Sequence, residues 1–299
     1  MTDKRKSNMG KAALFCATLI WGSSFFIMKN TVDSIDTYYL IAIRFFVGAA
    51  LLSLIFCKRF TKLKNVGEYL SRGALMGGLL FGAYAFQTYG VMHTTPGKNA
   101  FLTAAYCILV PFLDWIFVKK RPNGYNIAAA FVCFLGIGFI SLNRDFSINI
   151  GDLLTLVAAL FFGLHMVALG SAAQGRDVIV LSALQFAFAG VISLVFGMIF
   201  NEVPRSVPRE AVWSMVYLCV GSTTVALLLQ SIGQKYVPPS AASIILSSES
   251  VFGVLFSVIF YKEVISLKTA VGFVIVLAAV MISETRLEFL RRRRIKVEA

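Results

Sequence analysis

Residues 87–96 read QTYGVMHTTP, and residues 230–239 read QSIGQKYVPP. In both, a glutamine, a glycine three residues on and a proline six residues further close one apolar run and open the next. Proline suits the first turn of a helix, where its missing N–H would be unpaired anyway. Each stretch therefore predicts a helix end, a tight connection and a new helix. The pairing has company. ATLIWGSSFF (17–26) falls on AALFFGLHMV (158–167), AIRFFVG (42–48) on ALQFAFA (183–189), and FLGIGF (134–139) on LAAVMI (277–282), all at offsets of 141–143 residues. Apolar helices resemble one another cheaply, so one match means little. Four in order at a nearly constant offset predict a duplication: a first repeat at 1–142, a second at 151–285, and a basic tail at 286–299.

The bulk composition says where such a chain lives. Of 299 residues, 58% are hydrophobic and only 14% charged, and the mean hydropathy is +0.78. Soluble domains carry about 25% charged residues. A helix crossing the hydrocarbon core needs about 20 mainly apolar residues. Runs of that kind stand near 11–29, 37–57, 71–92, 97–118, 124–142, 151–172, 178–200, 210–234, 240–261 and 267–285. The eighth is the least regular, because Gly221-Ser222-Thr223-Thr224 interrupts it. The first reads as a membrane helix rather than a cleaved signal, since no small-residue cleavage site follows it.

The net charge of +13 does not point to nucleic acid, because the basic residues gather between the apolar runs. With the N-terminus inside, 20 of the 28 Lys and Arg residues fall on the inner side and seven on the outer, with Arg44 inside a span. Cytoplasmic loops carry such an excess. The expectation is a multi-pass protein of the cytoplasmic membrane with both termini in the cytoplasm. The basic tail suits anionic inner-leaflet lipid, which makes membrane lipid a predicted partner. All five cysteines lie in apolar runs without CxxC or Cys/His clusters, so they read as small buried hydrophobes.

Five spans per repeat is an odd number, so the halves must face the membrane in opposite senses. The predicted fold class is an all-α polytopic membrane protein of ten transmembrane helices in a 5+5 inverted repeat. Inverted repeats are common in secondary transporters, where the site lies between the halves.

WGSSFF in the first span, RF in the second, and the fourth and ninth spans ending VKKRP and YKEVIS resemble the EamA type of the drug/metabolite transporter superfamily. The resemblance covers nearly the whole chain. It implies ten helices in a 5+5 inverted fold, a central cavity lined mainly by helices 1, 3, 4, 6, 8 and 9, and movement of small metabolites. The family often has proline directly after the ninth-helix glutamate, but Ser250 stands there, with Cys107 at the repeat-related place. Pro111 comes about one turn later, so a kink is expected at Pro111 in the fourth helix and none in the ninth.

Polar residues in the spans nominate the site. In the fourth span Asn99, Thr103 and Tyr106 lie at i, i+4 and i+7 and share a stripe. Their repeat partners are Ala242, Leu246 and Glu249. A second ninth-span stripe, Ser243, Ser247 and Ser250, matches Ala100, Ala104 and Cys107 and reads as a packing face with hydroxyls bonding across helices. Glu249 is the acidic residue nearest the centre of any span, where a charge costs roughly 2.5–3.5 kcal/mol. Two roles stay open for it: proton coupling or pairing with a cationic substrate group, and a hydrogen-bonded carboxyl that holds helices together. His165, the repeat partner of Ser24, is open between a structural and a ligand-contacting role. Arg44 reads as a fold-level pairing ahead of a substrate carboxylate contact, and Asp114, near Lys119, Lys120 and Arg121, as an interfacial charge pair. Trp21, Ser24, Tyr84, Gln87 and Gln230 complete the candidate substrate-binding set, with aromatic faces for an apolar body and amides for a polar end.

The expected function is a secondary carrier that moves a small organic metabolite by alternating access, with export of an amino acid or related amphipathic compound leading and protons as a candidate partner. A passive facilitator or channel is one rival, a non-transporting receptor or scaffold another. No GxSxG elbow, Walker loop, HExxH or paired-carboxylate pattern occurs, and His93 and His165 are the only histidines. An enzyme, a cofactor and a metal site are therefore not expected, and a monomer suffices because both halves lie in one chain.

Overall fold

The computed structural model describes residues 3–32, 34–141, 148–200 and 209–285. The predicted basic tail and the end of the first repeat at residue 142 lie outside the described residues. Among the described residues ten helical spans appear, named here α1 to α10. The first repeat holds α1, Asp3–Val32; α2, Thr37–Ile55; α3, Val66–His93; α4, Pro96–Val118; and α5, Gly124–Ser141. The second holds α6, Ile150–Ala172; α7, Val178–Phe200; α8, built of Arg209–Val216, Tyr217–Val225 and Ala226–Gln234; α9, Pro239–Tyr261; and α10, Leu267–Thr285. A single helical turn, Cys57–Phe60, follows α2.

Seven spans are long and apolar enough to cross a membrane by length and composition; the apolar stretches of α5 and α10 are shorter. The 28-residue α3 is diluted by glycines and polar side chains. Phe131 and Phe134 on α5 and Val274 on α10 lie 67–73% exposed. Large apolar side chains turned outward on helices whose backbone bonds are internally closed are what lipid requires.

Local chemistry sets the helix ends. Pro96 and Pro239 each occupy the first turn of their helix, and the Thr95 hydroxyl accepts from Lys98 N at 3.3 Å. Asn149 accepts from Gly151 N at 2.7 Å to cap α6. The far ends of α4 and α9 stop at Lys119 and Lys262, whose φ values of 62° and 55° are left-handed. These two lysines are 143 residues apart, so the duplication extends to the caps.

The packing repeats the same relation. Within the bundle α2 packs on α7 and α5 on α10, each helix against its own counterpart; α3 packs on α6, and its equivalent, α8, packs on α1. Glycines allow the closest approaches. A Cβ at Gly90 would meet Gly151 O at 3.0 Å, and one at Gly233 would meet Gly10 O at 2.9 Å. Gly90 maps onto Gly233 and Gly10 onto Gly151, so one crossing is built twice.

Three helices break regularity, and the breaks surround the centre. α4 is interrupted at Ala104–Ala105 and α9 at Ser248, repeat-related places just before Tyr106 and Glu249. There Ala105 N bonds Leu102 O and Ser248 N bonds Ile245 O, both at 3.2 Å and both one residue tighter than an α-helix. The break thus differs from the expectation of a kink at Pro111 and a regular ninth helix: Pro111 lies inside the continuous piece Tyr106–Val118. The serines explain part of the difference. Ser243, Ser247 and Ser250 are buried, yet their hydroxyls donate to carbonyls three residues back in their own helix, at 2.7–2.8 Å, not across to a neighbour. Such back-bonding competes with the regular ladder. The third helix, α8, carries a π-helix, Tyr217–Val225, in the stretch where the sequence was least regular, and α9 ends in a shorter one, Ser257–Tyr261.

Candidate functional site

Between the two halves lies a cavity whose free space, counted together with its opening, is about 460 Å³. Five repeat-related pairs line it: Trp21 with Phe162, Phe25 with Met166, Gln87 with Gln230, Thr103 with Leu246, and Tyr106 with Glu249. Ser24, Met28, Arg44 and Tyr84 of the first half, with Ser222 of the second, complete the lining as an unpaired lobe. The counterparts of the first four, His165, Leu169, Gln185 and Leu227, do not line the cavity and are packed at 0–1% exposure. The cavity is thus symmetric at its centre and lopsided beyond it.

The lining is polar at a few points and aromatic elsewhere. Glu249 is 4% exposed and forms no salt bridge among the described residues. It faces Tyr106, whose hydroxyl neighbours the carboxyl group without closing a well-formed hydrogen bond. Arg44 is 2% exposed; its Nε donates to Thr223 Oγ1 at 3.0 Å and an Nη to Ser222 Oγ at 3.2 Å. Its guanidinium carbon stands 4.8 Å from the centre of the Tyr84 ring, within cation–π range. The π-helix presents these hydroxyls, and its wider turn leaves Ser222 O to accept from Trp21 Nε1 at 2.9 Å. Gln87 donates to Thr103 Oγ1 at 3.2 Å, and Gln230 to Gln234 Oε1 at 3.1 Å.

Polar contacts close both ends. Opposite the face that carries the N-terminus, Glu263 accepts from Thr95 Oγ1, Ser257 Oγ and, at 2.9 Å, Gly97 N. Thr94 donates to the buried Asp152 at 2.5 Å, and Lys98 lies 3.6 Å from it. On the N-terminal face Asp114 accepts from Ser240 at 3.1 Å. Asp114 and Ser240 are the repeat partners of Ser257 and Gly97, so α4 and α9 are tied by a carboxylate at each end. The charge pair expected for Asp114 is not formed among the described residues; it pairs with a hydroxyl across to α9, with Lys120 only nearby.

The N-terminal face also carries an ionic clasp between the halves. Glu68 binds Arg176 and, at 3.2 Å, Arg72; Asp177 binds Arg59 at 2.7 Å. The Arg176 hydrogen bond holds the Glu68 carboxyl below its ordinary range, with Arg72 adding to it and partial burial opposing. For Asp177 burial acts upward and is outweighed by Arg59 and the backbone N–H groups of Ile179 and Val180, so its carboxyl is also held low. A depressed carboxyl stabilises the fold fully above its unfolded value, about 3.9, and loses that contribution as pH falls through the folded value. Asp177→Ala, which also removes the cap that accepts from Ile179 N at 3.0 Å, is expected to cost about 1 kcal/mol at pH 7. Thermal unfolding in detergent checks it. The gap from wild type should narrow below about pH 4; a gap unchanged at pH 3 contradicts the ion-pair assignment.

Comparison with known proteins agrees with this architecture. The sequence profile of the EamA-like transporter family matches twice, at residues 8–142 and 149–285. The chain belongs to the EamA-like transporter family. A relative in Archaeoglobus fulgidus, described as an uncharacterized transporter, is 30% identical over 91% of this chain and 85% of its own length. The uncharacterized transporter YoaV of Bacillus subtilis is 27% identical over 90% and 94%. A solved crystal structure with 16% identity shares the fold, with a TM-score of 0.69 over 92% of this chain and 97% of that one.

In this EamA-like transporter, eight of the ten nominated residues meet at the cavity: Trp21, Ser24, Tyr84, Gln87, Thr103, Tyr106, Gln230 and Glu249. Asn99 does not line it. Its amide donates to Thr155 Oγ1 at 2.7 Å and Gln87 O at 3.4 Å, joining α4 to α6 and α3. His165 does not line it either; its Nε2 pairs with Gln185 Oε1 at 2.8 Å, tying α6 to α7. His165→Leu is therefore expected to lower stability by about 0.6 kcal/mol, a typical interhelical hydrogen bond in a membrane. In the state seen here, ligand affinity should stay within about twofold, read by thermal shift; a tenfold loss would place His165 at the ligand. The helices implied by the family resemblance all contribute, and α2 joins them through Arg44. The signal for Arg44 was its charge inside a span, the same signal that singled out Glu249.

Proposed function

We propose that this membrane transporter is a secondary carrier of a small amphipathic organic metabolite, with an amino acid or related compound as the leading class and export as the direction. It sits in the cytoplasmic membrane with both termini in the cytoplasm, works as a monomer and converts nothing chemically. Residues 1–142 and 151–285 act as the two units that rock about the site. One observation carries the reading: a cavity lined by both halves, holding the buried Glu249 and Tyr106 at repeat-related positions. Inverted repeats around a central site are the architecture of alternating access.

The lopsided lobe supports the same reading. In a rocking carrier the halves exchange conformations, so the packed residues His165, Gln185 and Leu227 take the place of Ser24, Arg44 and Tyr84 in the opposite state. Cysteine labelling at Leu227, buried here at 1%, tests this: reactivity that rises under conditions favouring the other state supports exchange, and constant protection opposes it. Protons are the favoured driving ion because Glu249 can carry one, with Tyr106, Tyr84 and, beyond the Tyr84 ring, Arg44 as the neighbouring polar groups. The deciding experiment is flux in proteoliposomes. Saturable exchange supports a carrier, conductance without saturation a channel, and no flux with a stable protein partner a scaffold.

A further inference from the structure

Arg44 poses an energetic problem that the fold alone does not solve. A guanidinium at 2% exposure has lost its water, and a buried charge is costly unless it is paired. Among the described residues no carboxylate stands within 4.0 Å of it. Its contacts are two hydroxyls, the Met28 sulfur at 3.8 Å and the Tyr84 face. Every one is neutral.

The donor count sharpens the point. A guanidinium carries five N–H groups, and Nε, Nη1 and Nη2 each have a single partner. Among the described residues one N–H on each Nη nitrogen therefore remains without an acceptor, in a side chain that lines the cavity. Two parallel N–H groups are what a carboxylate takes in a fork. The one acidic side chain lining the cavity, Glu249, lies beyond Tyr84, which neighbours both it and Arg44. The two ionisable groups share a cavity without sharing a bond.

We propose that Arg44 is the anion-recognition residue of this cavity, binding the carboxylate of a zwitterionic solute whose ammonium group lies toward Glu249 and Tyr106. The proposal rests on the carrier reading and narrows it to amino acids with an apolar or aromatic body. Tyr84 neighbours both Arg44 and Glu249, and Trp21 and Phe162 line the same cavity. Ser222 and Thr223 act as positioning residues: the π-helix turns their hydroxyls toward Arg44 and fixes the fork. The repeat partner of Arg44 is Gln185, so the anion site is present once and gives the cavity a polarity that the duplication alone would not.

The test uses full-length protein in proteoliposomes with L-leucine and L-phenylalanine as probes, beside L-leucinamide, which lacks the carboxylate. Wild type should favour L-leucine over L-leucinamide by at least tenfold in KM. Arg44→Gln should raise KM for L-leucine at least tenfold and leave L-leucinamide within about twofold, so the preference collapses. Melting temperature and monodispersity establish that the variant is folded; if it is not, Arg44→Lys, which keeps the charge but not the fork, carries the same comparison and should lose part of the preference. A folded Arg44 variant that keeps the wild-type preference overturns the proposal. So does wild-type flux of L-leucinamide equal to that of L-leucine, which leaves the carrier reading intact. No flux for these probes with flux for another metabolite overturns this proposal alone; no flux for these probes and for a broad metabolite panel overturns both.

Discussion

Glu249→Gln is expected to make the protein more stable and less active. Glutamine keeps the size of the side chain and removes an ionisable carboxyl held at 4% exposure, whose charged form is costly to bury without a partner. Transport should move the other way. If the carboxylate receives the ammonium group or the coupled proton, its loss costs at least about tenfold in rate, or about 1.4 kcal/mol, and flattens the dependence of rate on pH. On the proposed reading the wild-type rate should vary with pH, because substrate and proton compete for one carboxyl. The opposing signs make the experiment decisive. A carboxyl that merely holds α9 to α4 would give a lower melting temperature and an unchanged pH profile, and that pair of results would sink the coupling role.

The second large effect is expected at Gly253, where α9 crosses α4. A Cβ there would stand 2.4 Å from the Cβ of Ala100 and 3.3 Å from the Phe25 ring. No rotamer relieves a clash at Cβ, so the helices must part. Gly253→Leu should cost about 3 kcal/mol, the upper end for overpacking, and deplete the folded protein in the membrane. The milder Gly253→Ala tests the cause: it should lower the melting temperature, and Ala100→Gly in the same chain should recover most of the loss. Failure of that rescue would show that the contact is not the source of the cost.

Much of the architecture was legible because duplication and hydrophobicity are written along the chain. QTYGVMHTTP and QSIGQKYVPP set the register that pairs Tyr106 with Glu249, and both face the cavity. Asn99 shares an unbroken helical piece with Thr103, which lines the cavity, but it lies one turn nearer the helix start, where Thr155 of α6 takes its amide. His165 was nominated as the counterpart of Ser24, yet the halves differ in conformation: their neighbours pair across the axis, Trp21 with Phe162 and Phe25 with Met166, while Ser24 alone of that pair opens on the lobe. A repeat specifies which residues correspond, not which side is open in one state. Arg44 was read as structural and does bind α8, but the π-helix also holds it at the cavity wall. Nothing in Gly221-Ser222-Thr223-Thr224 announces a π-helix, because its extra residue per turn is stabilised by tertiary contacts such as the one from Trp21.

The most direct test of the central claim is counterflow in proteoliposomes: labelled L-leucine outside at trace level, with excess unlabelled L-leucine inside. A carrier with one alternating site predicts transient accumulation of label above equilibrium that saturates with concentration and falls at least tenfold in Glu249→Gln. Label that only equilibrates, at a rate linear in concentration and the same in the variant, would contradict it.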